Sequence, residues 1–166
     1  MIIKDSMVVI HLAKITLLES SCDYFKRVVI PKKVYEEIMK GKEKNYAEIA
    51  IIEASIENKR IIVKSVEKEE FIDKAMAFNI QGGEAEAVAL YWQENADYLA
   101  TDDDNVRKKK EILKLNLLGT PSILLLLYRQ KVIKKEKCLE AIQKLKRIGW
   151  FNNMIIDKMT MEIENG

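Results

Sequence analysis

The chain has 166 residues, enough for one domain that buries roughly 70% of the surface its unfolded form exposes, and too few for two comfortable ones. Apolar residues make up 48% and charged residues 33%, with six glycines and two prolines, which excludes disorder, collagen-like repeats and low-complexity sequence. Net charge is +2, but Asn105 to Trp150 carries 13 Lys/Arg against three acids, while Glu67 to Asp104 carries 11 carboxylates against Lys68 and Lys74.

An acidic centre beside a basic arm suits a metal site acting on a polyanion; the plainer reading is that Lys and Glu solvate helix faces. Cys22 and Cys138 lie far apart and form no C-x-x-C pair. They build neither a disulfide framework nor a zinc site, and they fit a reducing cytosol. The apolar run Ile123 to Leu127 is too short to span a bilayer. Lys4, Asp5 and His11 interrupt the apolar start, so no signal peptide is expected. The expectation is one cytoplasmic domain over 1–166, with its last helices (about 134–166) packed on it as a C-terminal extension.

Met1 to Lys4 predicts a strand, and Asp5-Ser6 after it a helix cap. A helix carries Val8, Val9, Leu12 and Ile15 and extends toward Leu17 and Leu18. Val28 to Ile30 predicts a second strand, closed by Pro31, which suits the first turn of a helix over Lys32 to Met39 ending at Gly41. A helix near Tyr46 to Glu57 precedes a strand from Ile61 to Val66. Lys68 to Phe78 is helical in period and breaks at Gln81-Gly82-Gly83, after which Glu84 to Glu94 is an Ala-rich helix. Tyr98 to Ala100 predicts a strand running straight into Thr101-Asp102-Asp103-Asp104. Asn105 to Leu115 reads as one basic helix, Leu117-Leu118 as a last strand, and Thr120 as the cap of a helix through Gln130. Helices near Lys134 to Ile148 and Asn153 to Ile163 complete the chain.

Short apolar strands alternating with helices predict an α/β fold, with a parallel sheet covered on both faces. Ligands then bind outside the carboxyl ends of the strands. Asp5 ends the first strand and Asp102 to Asp104 end the fourth. If those strands are neighbours, their carboxylates converge and repel unless a cation neutralises them, and oxygen ligands of this kind suit Mg²⁺ or Mn²⁺. Two helices offer further acids, Glu36/Glu37 after Pro31 and Glu84/Glu86 after Gly83. Positions i and i+2 diverge by about 200° on a helix, so one of Glu84 and Glu86 faces a shared site. Glu86, close to Ala87, Ala89 and Leu90, is preferred as a buried ligand, and Glu84 as a solvated first-turn acid. Of the other pair, Glu37 is preferred.

Other residues read as structure. His11, the only histidine, is expected to pack, which leaves a Ser/His triad or a histidine-rich metal site improbable. Gly82-Gly83 lacks the Gly-Lys-Ser/Thr of a phosphate loop. Trp92 and Trp150 are expected to pack, and no aromatic-rich stretch points to base stacking.

These pieces resemble the PIN-domain nucleases, including VapC-type toxins and their stand-alone archaeal relatives. Asp5-Ser6, Val34-Tyr35-Glu36-Glu37, Gly83-Glu84-Ala85-Glu86-Ala87 and Thr101-Asp102-Asp103 match four acidic motifs in family order, and Gly119-Thr120 and Gly149-Trp150-Phe151 follow as in such relatives. The resemblance implies a three-layer α/β/α sandwich with a central, mostly parallel sheet. It implies one or two Mg²⁺ or Mn²⁺ ions held by Asp5, Glu37, Glu86 and one of Asp102 and Asp103, with Ser6 and Thr101 in support. It also implies a cytoplasmic endoribonuclease, with the toxin half of a toxin–antitoxin pair, an antitoxin protein partner and a homodimer as family options. Arg107 and Lys108, just beyond the fourth motif, are placed to meet RNA phosphates. Two rivals stay open: a non-catalytic PIN fold that binds RNA or protein, and an aspartyl-phosphate phosphatase or receiver-like domain, which needs a nucleophilic Asp and a charge-neutralising lysine at another strand end.

Overall fold

A computed structural model of the chain describes residues 1–44 and 46–166. Five strands form, β1 (Ile2–Lys4), β2 (Val28–Pro31), β3 (Ile61–Lys64), β4 (Tyr98–Ala100) and β5 (Leu117–Leu118). Between β1 and β2 lie α1 (Ser6–Lys14) and α2 (Leu18–Phe25); between β2 and β3 lie α3 (Lys32–Met39), a 3-10 turn (Lys40–Lys44) and α4 (Ala47–Glu57). α5 (Glu69–Ala77) and α6 (Gly82–Gln93) precede β4, while α7 (Asp104–Lys108) and α8 (Lys110–Leu113) precede β5. α9 (Thr120–Arg129), α10 (Lys135–Ile148) and α11 (Asn153–Asn165) follow.

Every strand pairing is parallel, in the order β3-β2-β1-β4-β5. Ile2 pairs with Val28 on one side and Tyr98 on the other. The chain winds outward from β1 through β2 to β3, then returns to lay β4 and β5 on the opposite flank. That reversal opens a crevice at the carboxyl ends of β1 and β4, the place where sheets of this kind take ligands.

Alternate side chains of β1 enter different layers. Ile2 joins a core with residues of α1–α4 and α9–α11, and Ile3 joins a second core with α5–α8. The result is the expected three-layer α/β/α sandwich. Cys138, Ile142, Leu145, Ile156, Met159 and Ile163 tie α10 and α11 into the larger core. Each fully buried aliphatic side chain contributes about 1.5–3 kcal/mol.

Local departures from the expected elements have identifiable causes. Thr16 takes a left-handed φ of 60° and Leu17 N–H donates to Leu12 O at 2.9 Å, so Leu17 and Leu18 lead into a separate helix instead of extending α1. The basic helix breaks at Lys109, whose ammonium reaches across to the Phe78 carbonyl and to Asn105 Oδ1. Gly119, not Thr120, is the N-cap of α9, because the Thr120 hydroxyl is engaged elsewhere. α3 tightens into the 3-10 turn after Met39, and β3 stops at Lys64, short of Val66. Among the described residues no helix is long and apolar enough to cross a membrane.

Candidate active site

Asp5 follows β1 directly and caps α1: its Oδ1 accepts from Val8 N–H at 3.0 Å. Its own N–H donates to Ala100 O at 3.0 Å, which seats it beside the end of β4. The residue is 2% exposed, and Oδ2 is buried without a hydrogen bond among the described residues. Burial pushes the carboxyl up from 3.8 to about 7. The nearby Thr101 hydroxyl and the Val8 amide oppose that rise, while the charges of Asp102 and Glu84 add to it.

Asp102 and Asp103, adjacent in sequence, have different jobs. Asp102 is 2% exposed and its carboxylate accepts from three groups: Thr120 N–H at 2.7 Å, the Thr120 hydroxyl at 2.5 Å, and His11 Nδ1 at 2.8 Å. Trp150 Nε1 donates to its backbone carbonyl at 3.4 Å. His11, 1% exposed, is packed as expected, but it is also this aspartate's partner. Asp103 is half-buried, and its Oδ1 caps α7 by accepting from Val106 N–H at 3.1 Å. Its own N–H donates to Thr101 Oγ1 at 3.1 Å, so Thr101 braces the fourth motif while facing Asp5. Asp104 is exposed.

The two glutamate pairs meet where α3 packs on α6. Glu37 Oε1 accepts from Gly83 N–H at 2.9 Å, a carboxylate at the positive end of α6. The approach is so close that a Cβ on Gly83 would fall 2.5 Å from Glu37 Oε2. Glu36 is exposed. Glu84 is half-buried; burial raises its carboxyl, and the charges of Asp103 and Glu37 raise it further. Burial also raises Glu86, but there Lys33 opposes the shift, with Glu36, Glu37 and Lys32 as its other charged neighbours. The structure therefore brings Asp5, Asp103, Glu37 and Glu84 into one electrostatic group beside Asp102. Glu86 stands on the α3 side, flanked by two lysines.

Of the supporting residues, Thr101 engages the acids, whereas Ser6 makes no side-chain hydrogen bond among the described residues. Arg107 and Lys108 line a cavity of about 420 Å³ with Asp104, Lys110, Gly119 and Ser122. Lys4, the lysine next to Asp5, points away from the crevice into the core. There its Nζ donates to Ser21 Oγ at 2.5 Å, so it supplies no charge-neutralising lysine to the acids. Sequence reasoning missed the grip of His11 and Thr120 on Asp102, which no local pattern signals. It set Glu84 aside as a solvated acid, although its first-turn position on α6 was already visible.

Among the described residues no three His, Cys, Asp or Glu side chains form a ready-made metal-binding group. The donor set nevertheless fits a hard divalent cation. Among the described residues one buried carboxylate oxygen has no partner, and the neighbouring carboxylates push up the carboxyls of Asp5 and Glu84, a repulsion that positive charge would relieve.

The family model DUF3368, described as a PIN domain, matches residues 1–163. No curated protein and no solved structure gives a significant match.

Proposed function

The chain belongs to the PIN-domain family, whose members are generally nucleases, and from that premise we propose that it is a Mg²⁺- or Mn²⁺-dependent endoribonuclease. The observation that carries this proposal is the unpartnered, buried Oδ2 of Asp5, set among carboxylates at the crevice between β1 and β4. Asp5, Glu84 and Asp103 would hold the ion. Asp102 belongs to the same motif but acts by position, since His11 and Thr120 occupy its oxygens. Glu37 sets the start of α6 and thereby the place of Glu84.

A bound divalent ion would activate water and offset the charge that develops on phosphate oxygens. The chain's own groups do the rest. Without a cation, burial pushes the Asp5 carboxyl up to about 7, so near neutral pH it takes up a proton far more readily than an exposed aspartate, while Oδ1 accepts from Val8 N–H. Arg107, Lys108 and Lys110, in the cavity beyond Gly119, attract and orient phosphates flanking the scissile bond. A toxin role, an antitoxin partner and a homodimer enter this proposal through the family alone; genomic context and sizing chromatography test them.

The test is cleavage of a pool of structured and single-stranded RNA by wild type and Asp5→Asn, with Mn²⁺, Mg²⁺ or EDTA. Calorimetric titration of each metal into both proteins runs beside it. Metal-dependent cutting and metal binding, both lost in Asp5→Asn, are expected. Binding without cutting by wild type would favour the non-catalytic alternative, and cutting in EDTA would overturn the metal assignment.

A further inference from the structure

Trp150 stands at the rim of the acid group and has no part in the chemistry derived for it. It lies in the short link between α10 and α11, and 52% of its surface is exposed. The residue is nonetheless held in place. Its indole N–H donates to the Asp102 carbonyl, and its ring packs on His11 with centroids 5.7 Å apart. Phe151 packs on the same imidazole at 5.3 Å. The aspartate that anchors the site thus also fixes an aromatic ring whose remaining surface faces water.

Basic residues belong to the segments that meet at Asp102 and this ring. Lys146 and Arg147 occupy the last turn of α10, immediately before it. On the other side of Asp102, Gly119 lies so close that a Cβ there would fall 3.1 Å from Oδ1, and Gly119 also lines the cavity of Arg107 and Lys108. A half-exposed ring beside a basic track is how single-stranded nucleic acids are held without base pairing. Cations follow the backbone, and an aromatic face takes a base whatever its identity. A pre-positioned indole also loses little freedom when a base covers it.

We infer that Trp150 is a stacking platform for one nucleobase of a single-stranded nucleic acid whose phosphates run through the Arg107–Lys108 cavity. This rests on the nuclease proposal and adds to it a substrate form: an unpaired strand, since a base stacked within a duplex cannot cover the ring.

The test is binding in EDTA, where no cutting is expected. Fluorescence anisotropy measures affinity for labelled oligoadenylate and for an analogue with the same backbone and no bases, while tryptophan emission is followed with unlabelled strands. Wild type, Trp150→Ala and Trp150→Phe are compared. Oligoadenylate should quench emission in wild type and not in Trp150→Ala, in which Trp92 still reports. Trp150→Ala should weaken oligoadenylate binding about 5- to 100-fold, Trp150→Phe should restore most of it, and binding of the base-free strand should be unchanged in both. Equal loss for both strands would make Trp150 structural and overturn the inference. Binding without quenching would overturn stacking while leaving RNA cleavage intact as a separate result. No binding of either strand would overturn the inference, whereas the nuclease proposal stands or falls by the cleavage assay with Mn²⁺ or Mg²⁺.

Discussion

His11 Nδ1 stands 2.8 Å from Asp102 Oδ2, across 91 residues of chain, with both side chains buried. The contact joins α1 to the end of β4, and Thr120 extends it to α9. His11→Phe keeps a ring in place but leaves a buried carboxylate short of a donor, which costs about 3–5 kcal/mol when such a pair is broken. In urea unfolding, the double variant His11→Phe/Asp102→Leu should lose clearly less than the sum of the single losses. Strict additivity would mean that the two residues are not coupled.

Asp5 links stability to pH. Its folded pKa of about 7 lies above the ordinary carboxyl value of 3.8, so between these values the folded state holds a proton that the unfolded chain has released. Its contribution is fully present below the lower value and is lost as pH rises through about 7. Asp5→Asn keeps the cap of α1, since Asn caps as well as Asp. It should flatten that part of the profile and add up to about 4 kcal/mol at pH 8. Thermal melts from pH 4 to 8 decide this, and an unchanged slope would refute it. Mn²⁺ should raise the wild-type Tm at pH 8 and leave the variant's in place.

Lys4 works in the opposite direction. Burial lowers its ammonium from 10.5 to about 8, against an opposing effect of Cys22. Below pH 8 the folded protein carries a desolvated charge; between 8 and 10.5 the folded state sheds the proton first, so this group makes stability rise with pH. Lys4→Met fills the same space without the charge and should stabilise the protein at pH 7 by about 1–3 kcal/mol. The gain should shrink by pH 10. Destabilisation at pH 7 would mean that the bond to Ser21 outweighs the buried charge.

Gly83 leaves room for Glu37 at the start of α6. Gly83→Ala places a Cβ within 2.5 Å of Glu37 Oε2, so the glutamate must swing away and α6 loses its cap. The expected loss is about 1–2 kcal/mol, and cleavage should fall with it because Glu84 sits on the disturbed turn. With Glu37 already truncated to Ala, the same change at Gly83 should cost much less. Equal losses in the two backgrounds would rule out this steric account.

The sheet could be read from the sequence because each strand is a separate apolar run between polar breaks, and Asp5 because strand end and helix cap coincide there. The neighbouring of β1 and β4, posed as a condition, holds: Lys4 pairs with Ala100. What escaped reading depends on contacts between distant segments. Nothing near Thr16 announces a left-handed residue, and nothing near His11 names Asp102 as its partner. Glu84 illustrates the same limit. As a first-turn acid it looked solvated, but the approach of α3 to α6 and the carboxylate of Asp103 give it a half-buried, acidic setting. Trp150, expected to pack, is packed along one edge and open over the rest.

The wholly parallel pairing of the sheet also dictates when the site can come into being. Among the described residues no hairpin joins two strands, so β1 waits for β4 to be made before Asp5 gains its neighbours, and Asp102 stays untethered until Thr120 follows. During synthesis, a chain that has already emitted its first acid therefore carries no assembled crevice until more than two thirds of it exists. The nascent chain presents these carboxylates only as scattered charges, and completion of the fold sets the moment at which the acid group assembles.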